Sequence, residues 1–157
     1  MTDQAKKRRL QDTLTIAGSA VIAFSVWSLA KIGLFLSLVD ESVLRQLLGI
    51  VDSSLALTVY ALLGIIALID LGLRAFVGLS ARAEGHGKKK SPFYLFVAAI
   101  VAIANAASLF AIAMSTSYAS TSLSMVVSTV IEVTAIAALV LVMVSSIRLR
   151  RMVKTAG

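Results

Sequence analysis

Apolar residues run through this chain in long blocks rather than in short periodic stripes. Four blocks stand out, roughly residues 14–39, 55–79, 93–114 and 123–147. A helix rises about 1.5 Å per residue, so about 20 mostly apolar residues cross roughly 30 Å of hydrocarbon. Each block reaches that length. The spacing therefore predicts four transmembrane helices. Short connections make consecutive helices antiparallel neighbours, which predicts an all-α, up-down four-helix bundle. The spans use most of the 157 residues, so residues 1–157 read as a single membrane domain with no separate soluble part.

The segments between the blocks refine this picture. Residues 1–13 are polar and carry Lys6, Lys7, Arg8 and Arg9. The apolar run behind them is longer than the h-region of a signal peptide, about 7–15 residues, so the segment reads as an uncleaved cytoplasmic tail. In the first outer loop, Asp40 to Ser54, the residues Val43, Leu44, Leu47, Leu48 and Val51 recur at helical spacing. They predict a short amphipathic helix on the outer surface, with Asp40 or Ser42 as its N-cap. The segment Ser80 to Ser91 reads as a second cytoplasmic loop, with Arg82, Lys88, Lys89, Lys90 and two glycines. Pro92 suits a first helical position, and Phe93 and Tyr94 follow at interface depth. In the third span, Ala98, Ala102 and Ala106 form one row of small residues, with Ala99, Ala107 and Ala111 beside it. Small rows let helix backbones approach closely in lipid, so this helix is expected to be the most enclosed. Ser115 to Ser124 reads as a polar outer turn, and residues 148–157 as a frayed basic tail.

Charge then sets orientation. Of the 15 Lys and Arg, the N-terminal tail, the Ser80–Ser91 loop and the C-terminal tail hold four each, and the two opposite loops hold only Arg45. That asymmetry places both termini in the cytoplasm by the positive-inside rule. It also disposes of nucleic acid as the explanation for a net charge of +7, because the basic residues sit at the ends of apolar spans. The expected surroundings are a cell membrane, the bacterial cytoplasmic membrane foremost. Anionic headgroups or an acidic partner would then meet Lys6, Lys7, Arg8, Arg9, Lys88, Lys89, Lys90, Arg148, Arg150 and Arg151. There is no cysteine, which removes disulfides, thiolate chemistry and Cys-ligated metals. The one histidine, His86, reads as a solvated loop residue. No cofactor or metal is expected.

Ionisable residues within a span are costly, about 2.5–3.5 kcal/mol each on insertion scales, and so ask for a role. Lys31, Asp70, Arg74 and Glu132 are such residues, and Asn105 joins them near mid-depth. Lys31 and Glu132 both fall roughly 12–14 Å below the outer boundary, at depths that suit an ion pair between spans one and four. Asp70 and Arg74 lie four residues apart and share a helix face. Asn105 is placed to hydrogen-bond Asp70. These charges either fix the register of the helices, form a polar pathway, or meet a partner subunit.

Three functions compete. The buried charges favour an oligomeric ion or small-solute transporter or channel, because four helices rarely enclose a pathway alone. The lack of any motif, the small-residue faces and the basic ends favour a non-catalytic accessory, assembly or scaffold subunit. A membrane enzyme needs a nucleophile, metal ligands or an acid–base set at one depth. The carboxylates here are scattered in depth, so an enzyme is not expected.

Overall fold

The computed structural model describes residues 3–38, 53–115 and 123–155. They form four helices: α1 (Asp3–Leu38), α2 (Ser53–Gly85), α3 (Phe93–Ser115) and α4 (Leu123–Thr155). Among the described residues there are no strands. Each helix contains a segment long and apolar enough to cross a membrane: Gln4–Ala30, Gly64–Gly85, Phe93–Ala111 and Thr129–Val153. The chain thus fits a small multi-pass membrane protein. The amphipathic helix expected at 40–54 and the polar turn expected at 115–124 fall largely outside the described residues.

The helices are longer than the apolar blocks, and the excess lies at the basic end. Residues 1–13, expected as a tail, are helical from Asp3 onward. The 148–157 segment, expected to fray, continues α4 to Thr155. The Ser80–Ser91 segment is not all loop either, because α2 runs on through Gly85. The physical reason is shared by all three. Polar residues near a helix end satisfy themselves internally or against neighbours, so helix propagates past the hydrocarbon. In the extension of α1, Thr13 Oγ1 donates to the Arg9 carbonyl at 2.8 Å, a local bond that satisfies a hydroxyl within a helix.

The end of α2 is a Schellman cap. The Gly87 N–H donates to the Glu84 carbonyl at 2.9 Å and the Lys88 N–H to the Ala83 carbonyl at 3.0 Å. Gly87 takes the left-handed conformation that this motif needs, with φ 81°. Across the connection, Ser91 Oγ accepts from the Phe93 N–H at 3.3 Å and caps the start of α3.

The closest pairing is α1 against α2, not a pairing of the Ala-rich α3. Gly18 and Gly78 face each other so closely that a Cβ on Gly18 would sit 2.8 Å from the Gly78 carbonyl oxygen and 3.0 Å from the Arg82 backbone nitrogen. Apolar burial does not drive helices together in lipid, so close backbone approach and van der Waals contact do. Glycine permits a closer approach than alanine. In α3, Ala98 and Ala102 are buried, whereas Ala106, Ala107 and Ala111 are exposed. The expectation that α3 is the most enclosed helix is therefore corrected. It packs on α2 and α4, while α1 also packs on α4.

Among the described residues, buried side chains lie in one half of the bundle. They run from Leu14 to Ser25 in α1, Arg74 to Gly85 in α2, Tyr94 to Asn105 in α3 and Ala135 to Leu149 in α4. Leu14, Val77, Ala98, Leu139 and Val142 form the centre of this core at 0–1 % exposure. Beyond Arg74, Asn105 and Ala135, every described side chain is at least partly exposed.

Candidate functional site: two buried polar clusters

The apolar core is bounded by a polar cluster at each end. The inner cluster joins α2 to α3 where the packed half stops. Arg74 is buried, as is Asn105. Arg74 Nη2 donates to Asn105 Oδ1 at 2.8 Å. Arg74 Nε lies 2.8 Å from Asp70 Oδ2, the contact that a four-residue spacing on one helix allows. This contact is an ion pair rather than an aligned hydrogen bond, since the Nε–H has no hydrogen-bond acceptor among the described residues. Asn105 Nδ2 also lacks a partner there. Asp70 keeps 35 % of its side chain exposed.

Asn105 thus meets Arg74, not Asp70 as the sequence suggested. The guanidinium, longer and with several donors, reaches across to α3 and leaves the shorter carboxylate on the bundle's flank. Glu132 lies half-buried in α4, outside this cluster. The pairing of Lys31 with Glu132 depends on the Lys31 side chain, which lies outside the described residues.

The second cluster sits about ten residues further along α2, roughly 15 Å away, and joins three helices. Glu84 is its hub, buried at 6 % exposure. Its Oε1 accepts from Arg150 Nε at 2.8 Å and from Ser146 Oγ at 3.0 Å. Its Oε2 accepts from Arg150 Nη2 at 2.7 Å and from the Tyr94 hydroxyl at 2.6 Å. The arginine meets the carboxylate through two parallel N–H···O bonds, the strong and geometrically specific arrangement. Tyr94 is fully buried and its hydroxyl also lies 2.9 Å from Ser146 Oγ. The Arg150 guanidinium carbon stands 5.8 Å from the Tyr94 ring centre. Arg150 Nη2 further donates to the Lys90 carbonyl at 2.9 Å, which ties the connection after α2 to the end of α4.

Glu84 escapes a reading of the sequence because it stands just before Gly85, Gly87 and the Lys88–Lys90 run, where a loop is the natural assignment. One signal was available. From Val77, the buried positions Ala81 and Glu84 continue the helical face at spacings of four and three. Tyr94, placed by sequence at the interface, turns its hydroxyl inward. Arg150, expected to face headgroups, turns its guanidinium to Glu84.

The other basic residues remain on the surface. Lys6, Lys7, Arg8, Arg9, Lys88, Lys89, Lys90, Arg148 and Arg151 are all exposed. His86 is exposed too, with Nδ1 2.7 Å from the Arg82 carbonyl oxygen. Among the described residues, no three His, Asp or Glu side chains gather as metal ligands would. No family model, no curated protein and no solved structure matches this chain.

Proposed function

We propose that this protein is a non-catalytic subunit of a membrane assembly, a homo-oligomer or a complex with another membrane protein, whose helices run up and down with both termini cytoplasmic. The observation that carries this reading is Asp70. Its carboxylate lies within the Gly64–Gly85 span with a third of its side chain uncovered by its own chain. Arg74 pairs with one side of this carboxylate, and its open side still faces hydrocarbon at a cost, which a neighbouring subunit over that flank relieves. The exposed apolar residues beyond Arg74, among them Ile65, Ile66 and Ile69, extend the same surface. The basic residues at the end that holds Glu84 support a cytoplasmic orientation in a bacterial-type inner membrane.

A second reading, transport of a small ion or solute, is favoured by one observation. Asn105 Nδ2 is a buried donor without a partner among the described residues, beside a carboxylate that is about a third exposed. The described core beneath it buries Val77, Ala98, Val101 and Val142, with the hydroxyls of Ser25, Ser80 and Ser145 as its buried polar groups between the two clusters. On this reading a pathway would run between subunits.

Mass measurement of the protein in lipid nanodiscs tests the assembly. A dimer or larger species, or a fixed co-purifying partner, is the expected result, and a monodisperse lone monomer sinks the proposal. Flux in liposomes separates the two readings. Ion or proton flux in the native chain that Asp70→Asn abolishes favours transport, whereas a folded oligomer with no flux favours the accessory role.

A further inference from the structure

We propose that the basic end of the bundle holds a specific site for the headgroup of an anionic phospholipid, in a cleft where α1, the turn after α2 and the end of α4 meet. The cleft has a volume of about 440 Å³, and its walls include Lys7, Lys88, Lys89, Lys90, Leu149 and Val153. Four lysines therefore border it, from two separate parts of the chain.

Glu84 also borders the cleft, but its carboxylate is already matched. Both of its oxygens accept from Arg150, with Tyr94 and Ser146 taking further positions. The four lysines are left without a carboxylate opposite them among the lining residues. Gln11 adds an amide at the rim.

The lysine segment is held in place before any ligand arrives. The Schellman turn at Gly87 fixes one end, and the bond from Arg150 to the Lys90 carbonyl fixes the other. Less ordering is therefore needed on binding, which favours affinity.

Two features commit the occupant to a lipid rather than a free anion. Leu149 and Val153 stand four residues apart on α4 and supply an apolar wall beside the lysines. The cleft also lies where the apolar segments of α2 and α4 end, at Gly85 and Val153. An anionic phospholipid carries its phosphodiester charge next to its acyl chains, the same juxtaposition of charge and apolar surface. Basic pockets between spans on the cytoplasmic side are where such headgroups bind. The cleft is built within one chain, so binding there is independent of the assembly proposed above.

The test uses the full chain in nanodiscs of phosphatidylcholine with a small fraction of phosphatidylglycerol, with retained lipid counted by native mass spectrometry. The expected result is a single tightly held phosphatidylglycerol per chain. Each single change, such as Lys89→Gln, should weaken retention about fivefold. The combined Lys7→Gln, Lys88→Gln, Lys89→Gln, Lys90→Gln variant should weaken it about 100-fold or more by the same reasoning. A matched variant with Lys6→Gln, Arg8→Gln, Arg148→Gln and Arg151→Gln removes as many charges from outside the cleft and should keep the held lipid. Equal losses in the two combined variants would mean diffuse surface attraction and overturn the site. Equal retention of phosphatidylcholine would overturn it as well. Displacement of the lipid by inorganic phosphate, but not by chloride at matched ionic strength, would reassign the cleft to a free phosphate and overturn the lipid proposal.

Discussion

Glu84 carries more of the fold than any other polar side chain described. It receives four hydrogen bonds from three residues on two other helices. Breaking a buried pair by removing one partner leaves the other charge uncompensated. Glu84→Ala should therefore cost about 3–5 kcal/mol of unfolding free energy in mixed micelles. Tyr94→Phe keeps the ring and its packing but removes one donor from the carboxylate, so about 1–3 kcal/mol is expected. The two losses should not add, because the residues share one network. An additive result would mean that the cluster does not act as a unit. The inner cluster was partly legible in the sequence, because Asp70 and Arg74 announce each other by a spacing of four within an apolar block. The Arg74–Asn105 bond was not legible. Which faces of α2 and α3 meet is decided by packing, and the sequence supplies depth but not rotation.

The pairing of α1 with α2 rests on glycines rather than on an alanine row. A Cβ at Gly18 would press on backbone atoms of α2, at 2.8 Å and 3.0 Å, which cannot rotate away. Gly18→Ala should therefore part the helices and lower stability by about 1–3 kcal/mol. Gly72, on the same α2 helix, has no atom within 4 Å of the position a Cβ would take. Gly72→Ala should be neutral or slightly stabilising, because alanine is the better helix former by up to about 1 kcal/mol. Thermal unfolding of the two variants side by side checks this, and similar losses in both would exclude close approach as the cause. These glycines were visible in the sequence, but glycine inside a span is common and its partner is not written beside it. Helix ends were the least legible feature. Hydropathy falls at Ser80 and at Arg148, whereas the helices continue to Gly85 and Thr155 because Glu84 and Arg150 satisfy each other there.

The four-span architecture was legible throughout, because twenty apolar residues in a row admit few other structures. The chain contains no cysteine, which makes its orientation easy to test. Single substitutions Lys6→Cys, Lys89→Cys and Arg151→Cys should all react with an impermeant thiol reagent from one face of the membrane. Ser117→Cys should react only from the other. Labelling of Lys89→Cys and Arg151→Cys from opposite faces would refute the arrangement of the basic end.

The bond between Glu84 and Arg150 spans 66 positions of the chain, and translation delivers its two halves at different times. Glu84 and Tyr94 reach the membrane while α4 is still unmade. Until Ser146 and Arg150 follow, the Glu84 carboxylate of the nascent three-helix chain has the Tyr94 hydroxyl as its donor but lacks the arginine that balances its charge. The last turns of α4 thus complete the cluster, because a chain cut short before Ser146 lacks three of the four hydrogen bonds that Glu84 accepts and the cation that meets its carboxylate there.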